Sequence, residues 1–416
     1  MEDSRIIMLI DVNSAYLSWE AAYRLQHGAT LDLRAIPSVV GGDEASRHGI
    51  VLAKSIPAKQ YRVHTGEALY AVRQRCPGIV VIPPHYDLYM MSSAALLNLL
   101  EEYTPKIQVF SIDECFIDFS HMERLYSDPV EAAHLIKERI KDELGFTVNI
   151  GISSSKLLAK IAGDLEKPDK VHTLFPKEIP EKMWPLPVEE LYMVGRATAH
   201  KLHRLNIHTI GDLAHTDIEL LLSKFKSWGR LLWEFANGIE SSGVGEGSMP
   251  VKGIGNSTTI SFDVDTREEA YKVLLSLTEM VCMRLRRAGF CAQLVAVSLR
   301  TNEFVHFGRQ QKFAMATDCT ADIYNYACIL FDEIWRGQPI RHIGVRVSEL
   351  CGSDYLQMSL LQPYNEKKKR LDSAMDEIRI KYGASSVMRS CFIASGLKPL
   401  AGGVGEEDYQ MMSSLL

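Results

Sequence analysis

Adjacent carboxylates in an apolar setting are the first feature of this sequence that asks for chemistry. Ser111-Ile112-Asp113-Glu114-Cys115-Phe116-Ile117-Asp118-Phe119 reads as a buried strand, yet Asp and Glu stand together at its centre. Core strands do not keep ionised side chains without a use, and like charges this close repel unless something positive lies between them. A divalent metal supplies that charge. On a regular strand Asp113 and Glu114 point to opposite faces, so sharing an ion requires a hairpin turn or a bulge at the pair. The competing reading is a hairpin whose Asp and Glu simply face water.

A second stretch bears on that choice. Arg5-Ile6-Ile7-Met8-Leu9-Ile10-Asp11-Val12-Asn13-Ser14-Ala15-Tyr16 is another apolar strand that ends in a carboxylate, the place where an α/β sheet puts ligand groups. Paired side by side, the two strands bring Asp11, Asp113 and Glu114 together. Carboxylates and water suit Mg²⁺, which takes hard oxygen ligands and keeps waters for substrate phosphates. Two such ions, roughly 3.5–4 Å apart, are the usual clamp for in-line phosphoryl or nucleotidyl transfer.

Asp-Val-Asn-Ser-Ala-Tyr at 11–16 followed by Ser-Ile-Asp-Glu at 111–114 resembles the two catalytic motifs of the Y-family, translesion DNA polymerases of the bacterial DNA polymerase IV and UmuC-like kind. The likeness runs through most of residues 5–360. It implies an α+β multidomain chain with a right-hand architecture of palm, fingers and helical thumb, plus a βαββαβ-like little finger. It implies a template-directed, low-fidelity DNA polymerase that adds deoxynucleotides to a primer 3′ end. Its cofactors would be two Mg²⁺ ions held by Asp11, Asp113, Glu114 and the Val12 carbonyl. Tyr16 stands where the family places an aromatic gate that excludes a 2′-hydroxyl. Asn13 replaces the first motif's second Asp, and Ala15 replaces a frequent Phe.

The elements that must position these groups follow in order. Residues 1–16 and 80–174 form the expected palm, split by fingers at 17–79. In the fingers, Ile50 to Lys59 leaves a strand and reaches two lysines; Lys59 is similar in position to the family's triphosphate-contacting residue, with Lys54 a weaker candidate. Ala53 and Ile56 stand where many members carry Thr and Tyr. Pro129 to Leu144 shows one apolar face and stops at Gly145, a helix with a glycine stop. After a strand at 147–152, Ser153-Ser154-Ser155 caps a helix carrying Lys156 and Lys160. Spaced i and i+4, both ammonium groups address one anion, a triphosphate.

Residues 175–242 are the expected thumb, where Val188 to Leu202 resembles a helix-hairpin-helix. Val194, Gly195 and Arg196 are its DNA-phosphate candidates, with Met193 where the first glycine usually stands. A polar, glycine-rich linker spans 243–250, and 251–350 carries the strands and helices of the little finger. Arg300, Arg309 and Lys312 are its template-contact candidates. The tail, 351–416, holds Gln357-Met358-Ser359-Leu360-Leu361, which looks like a sliding-clamp-binding peptide. Expected partners are thus primer-template DNA, deoxynucleoside triphosphates and the clamp, bound by a monomer.

Composition narrows the classes further. A net charge of −6 and pI near 6.1 give no global basic signature, so DNA contacts must be local. Eight scattered cysteines without zinc spacing read as reduced thiols of a cytoplasmic protein. No signal-peptide pattern or membrane-length apolar run is present. A rival reading is a catalytically silent polymerase-like scaffold that binds DNA and the clamp; the charge cost of an unused acidic trio speaks against it. A nucleotide cyclase has no place for the helix-hairpin-helix, and no Walker A motif supports an ATPase.

Overall fold

The computed structural model describes residues 5–45, 47–122, 125–126, 128–245, 251–353, 366–383, 386–393, 397 and 400. They divide into two compact units, one of residues up to 41 with 51–245 and one of 42–50 with those from 251 on.

The first unit begins with β1 (Ile7–Val12), buried along its whole length, which turns directly into α1 (Ala15–Gln26). A small sheet follows, made of β2 (Ser38–Gly41), β3 (Val51–Lys54) and β4 (Val80–Ile82) in the order β3-β2-β4, with α2 (Ile56–Gln60) and α3 (Leu69–Arg75) between the last two strands. Then come α4 (Tyr86–Glu101), β5 (Ile107–Val109), β6 (Glu114–Asp118), α5 (Pro129–Leu144), β7 (Val148–Ser153), α6 (Lys156–Asp164) and β8 (Val171–Thr173). The large sheet runs β5-β6-β1-β7-β8, with β1 antiparallel to both neighbours.

Alternation along β1 decides what faces what. Met8, Ile10 and Val12 join the core with Leu17, Trp19, Tyr89, Leu96, Ile136 and Ile140 of α1, α4 and α5. Each such large apolar side chain contributes about 1.5–3 kcal/mol when buried. Ile7 and Leu9 face the other way, toward Phe110, Phe116 and Ala159 of α6. Asp11 shares that second face.

Helix α6 approaches the sheet closely because β7 carries Gly151. A Cβ there would lie 2.0 Å from the Ala159 carbonyl oxygen and 2.4 Å from the Gly163 nitrogen, both backbone atoms that cannot step aside. Gly151→Ala is therefore expected to cost about 3 kcal/mol by overpacking, read as a lower urea midpoint at unchanged slope.

Beyond β8 the unit is helical: α7 (Arg196–His203), α8 (Ile210–His215), α9 (Ile218–Phe225) and α10 (Ser227–Ala236), around Leu158, Met183, Leu202, Leu213 and Leu232.

The second unit has the order β9 (Gly253–Val264), α11 (Arg267–Arg287), β10 (Phe290–Thr301), β11 (His306–Thr317), α12 (Thr320–Ile334), β12 (Ile340–Gly352). This is a βαββαβ succession, folded into an antiparallel sheet β11-β10-β12-β9 whose inner face packs on α11 and α12. Edge strand β11 is exposed for most of its length. A last helix, α13 (Glu366–Tyr382), buries charge rather than oil: Asp372 and Asp376 meet Arg286, and Arg379 meets Glu279. Lys368 and Lys369 of this helix pair with Asp322 and Asp318.

Candidate active site

The register of β1 against β6 sets Asp11 directly opposite Glu114, on one face of the sheet. Asp113 lies in the turn just before β6, not on the strand, and its carbonyl accepts from the Val12 N–H at 3.0 Å. Ser111 shapes that turn: its hydroxyl donates to Asp113 Oδ1 at 2.5 Å and accepts from the Glu114 N–H at 3.0 Å. The hairpin geometry that a shared ion requires is therefore present. On its other side Asp11 is paired in register with Asn149 of β7.

Burial and crowding set the electrostatics. Asp11 is 6% exposed, and its pKa is pushed up to about 7 by burial, reinforced by Glu114 and Asp113 and opposed by Lys167. Glu114 is likewise raised, chiefly by burial, against the pull of Lys160. Two lysines answer these acids. Lys160 Nζ donates to Glu114 Oε1 at 2.7 Å and lies over the rings of Phe110 and Tyr192, 5.0 Å and 5.9 Å from their centroids. Lys167 pairs with Asp11 and, at 2.8 Å, with Asp164. Burial works to lower the Lys167 pKa, but Asp11 and Asp164 outweigh it and hold the ammonium well above its ordinary range.

Among the described residues no group of three His, Cys, Asp or Glu side chains is already arranged around a common point as a metal cage. The donor set nonetheless fits a hard divalent cation: acceptor-only carboxylates, partly desolvated and mutually repelling, the state that a bound ion relieves.

The other sequence-predicted residues are placed as follows. Tyr16 is half-buried and stacks on Tyr89, centroids 4.4 Å apart and planes 10° apart, with Tyr86 edge-on at 6.3 Å. The Tyr89 hydroxyl donates to Glu20 at 2.9 Å, and Glu20, 1% exposed, also meets His85. Lys59 is exposed in the last turn of α2. Lys54 is half-buried, and burial, then Lys59, lower its pKa. Lys156 is 1% exposed, with Nζ on Gln108 Oε1 at 3.1 Å, so it does not join Lys160 on an open face. Its stem is buried and its head is turned to the edge strand β5.

In the hairpin before α7, Met193 takes φ 74°, the left-handed backbone that a glycine adopts freely. Met193→Gly is expected to stabilise the protein by about 1 kcal/mol, read as a raised melting temperature. Val194 is buried and its N–H is spent on the Leu191 carbonyl, whereas Gly195 and Arg196 are exposed at the start of α7.

In the second unit, Arg300 lies on the outer sheet face, in a row with His306 and His342. Lys312 shares that face, opposite Leu294, and pairs with Glu349. Arg309 lies opposite the core residue Val297 and pairs with Glu333 of α12, so it faces the other way from Arg300. Gln357, Met358, Ser359, Leu360 and Leu361 lie outside the described residues.

Two basic residues escaped the sequence reading. Lys167 could have been suspected as a lysine between a helix end and a proline. Arg346, exposed and opposite Ala296 on the Arg300 face, becomes visible only once the strand register is known.

Comparison with known proteins agrees with this geometry. Residues 10–164 match the impB/mucB/samB family, 176–207 the IMS family HHH motif, and 251–360 the impB/mucB/samB family C-terminal domain. The chain is 47% identical to DNA polymerase IV of Clostridium acetobutylicum, over 94% of this chain and 98% of that protein. It is 37% identical to DNA polymerase IV 2 of Bacillus subtilis, over 95% and 96% respectively. Among solved structures it shares its fold with a Y-family DNA polymerase chimera built from Dbh and Dpo4, at TM-score 0.69 and 22% identity, covering 83% of this chain and 99% of that one. With the family spanning both units and the acids in place between β1 and β6, the chain belongs to the impB/mucB/samB family and is a Y-family, DinB-like DNA-directed polymerase of translesion synthesis.

Proposed function

We propose that primer extension by this chain centres on Asp11, Asp113 and Glu114, with the Val12 carbonyl, as the holders of two Mg²⁺ ions. The observation that carries this reading is the register that sets Asp11 opposite Glu114 with Asp113 in the adjoining turn. When bound, the ions supply the charge that acidifies a primer 3′-hydroxyl and offsets the negative charge of the triphosphate.

The chain's own residues do the rest. Lys160 and Lys167 are poised to turn from carboxylates to phosphate oxygens, and Lys59 to meet the far end of the triphosphate. Tyr16, braced by Tyr89 and Tyr86, excludes a ribose 2′-hydroxyl by its bulk. The amides of Gly195 and Arg196 hold a DNA phosphate, since first-turn N–H groups have no helical acceptor.

The outer sheet face of the second unit presents Arg300, Lys312 and Arg346 to the template backbone. Its paired rows also carry His306, His342, Ser298, Ser257, Gly308 and Gly344, and Glu349 is the acid that meets Lys312. That local patch reconciles DNA binding with a net charge of −6. We assign the palm to 1–16 and 80–174, fingers to 17–79, thumb to 175–242, little finger to 251–350, and clamp binding to Gln357–Leu361, in a monomeric, cytoplasmic enzyme. Among the described residues no helix is long and apolar enough to cross a membrane. The silent-scaffold alternative gains no support, since the relatives are named as polymerases and the acidic trio is complete.

The test is extension of a primed template with Mg²⁺ and each deoxynucleotide, run beside an Asp113→Ala, Glu114→Ala double variant. Templated extension that vanishes in the variant supports the site; equal extension by both rejects it.

A further inference from the structure

We infer that Asn13 and Asn149 are positioning residues: two amides that clasp residues 163–170 and so hold Lys167 over Asp11. The inference rests on the active-site reading above.

Asn13 is 9% exposed and Asn149 fully buried, and each finds the partners that burial demands. Asn13 Nδ2 donates to Asn149 Oδ1 at 3.0 Å, and Asn13 Oδ1 accepts from the Asp169 N–H at 2.9 Å and the Thr147 hydroxyl at 3.0 Å. Asn149 Oδ1 also accepts from the Lys170 N–H at 3.3 Å, while its Nδ2 donates to the carbonyls of Gly163, at 3.0 Å, and Glu166, at 2.6 Å. The pair thus grips the backbone at 163, 166, 169 and 170, on both sides of Lys167. Asn149 itself stands beside Asp11 in the β1–β7 register. One rigid strand pair therefore carries the carboxylate and fixes the loop that carries its cation.

Amides suit both positions of this network. Asn13 donates through one atom and accepts through the other; a carboxylate would accept the same two bonds but set acceptor against acceptor at Asn149 Oδ1. It would also place a further negative charge beside the acidic trio and offer Lys167 a rival partner. A neutral clasp leaves Lys167 to Asp11 and Asp164. Should Lys167 turn to the triphosphate, the clasp fixes the point from which it reaches.

The experiment is single-nucleotide incorporation at saturating primer-template by wild type, Asn149→Ala, Lys167→Met and the double variant. Primer-template anisotropy and thermal melting are measured on each. Asn149→Ala is expected to raise KM for the deoxynucleotide about tenfold, with kcat within about threefold and DNA affinity unchanged. In the Lys167→Met background the same change is expected to raise KM by less than about twofold, because the residue it positions is gone. Equal factors in both backgrounds, or a loss confined to kcat or to DNA affinity, would make the pair a structural brace and overturn the proposal. If Asn149→Ala melts below the assay temperature, Asn13→Ala takes its place: it removes the bonds to Asn149, Thr147 and Asp169 without adding charge, and the same KM rise, again dependent on Lys167, is expected. Absence of templated incorporation by the wild type would instead reject the active-site reading.

Discussion

Asp11→Asn is expected to abolish primer extension and to make the metal-free protein more stable. On the proposed site, the first effect follows from removing a carboxylate charge at the centre of the acidic row, for which a loss of about a hundred- to a thousandfold is the scale set by removing a single preorganised charge-stabilising group. The second follows from burial. Asp11 has a pKa near 7 in the fold against 3.8 as its ordinary value, so ionising it costs folding energy. An acid with a raised pKa keeps its proton in the folded state after the unfolded chain has released it. Stability without divalent cation therefore falls as pH rises from about 4 to about 7, then levels. A gap of about three pH units corresponds to about 4 kcal/mol. Asparagine carries no such charge, so the variant's stability curve is expected to be flatter across that window and higher at pH 8. Urea unfolding in EDTA at several pH values reads it. A variant less stable than wild type at pH 8 would mean that the Lys167 pair, not desolvation, dominates at Asp11.

The parts of this site that were legible in sequence are those whose local pattern and function coincide. β1 and the β5–β6 hairpin announce themselves because a strand buried on both faces reads as an unbroken apolar run, against which an acid stands out. The α6 lysines were visible as an i, i+4 pair, but spacing does not tell which one has room. Lys156 packs its stem inward and bonds Gln108, whereas Lys160 reaches Glu114. Arg309 and Arg300 look alike on paper, and only the cross-strand register shows that they take opposite faces. β11 went unread because an exposed edge strand has no core to impose alternation. The basic run 367–370 of α13 reads as helical, but which side of that helix is buried does not show in sequence, because the buried side is ionic and no apolar stripe marks it. Lys167 depends on a loop whose position is set by Asn13 and Asn149, both far from it in sequence. Such long-range clasps leave no periodic signal.

Tyr16→Ala is expected to open the site to ribonucleotides. Tyr16 gains its rigidity from outside the first motif: Tyr89 lies parallel beneath it, Tyr86 closes its edge, and the Tyr89 hydroxyl is tied to buried Glu20. A ring so held does not swing aside readily, so on the proposed role it would select the sugar by exclusion. Removing the ring is expected to raise the ribonucleotide-to-deoxyribonucleotide ratio of kcat/KM by about a hundredfold, the scale commanded by one pocket contact. Tyr16→Phe keeps the ring and separates two causes. If bulk selects the sugar, the phenylalanine variant discriminates like wild type; if the tyrosine hydroxyl does so by hydrogen bonding, it behaves like the alanine variant. Tyr89→Ala removes the brace but not the gate, and is expected to relax selection by a smaller factor than Tyr16→Ala. Selection unchanged in Tyr16→Ala would place the sugar elsewhere and leave the stacked tyrosines as core packing.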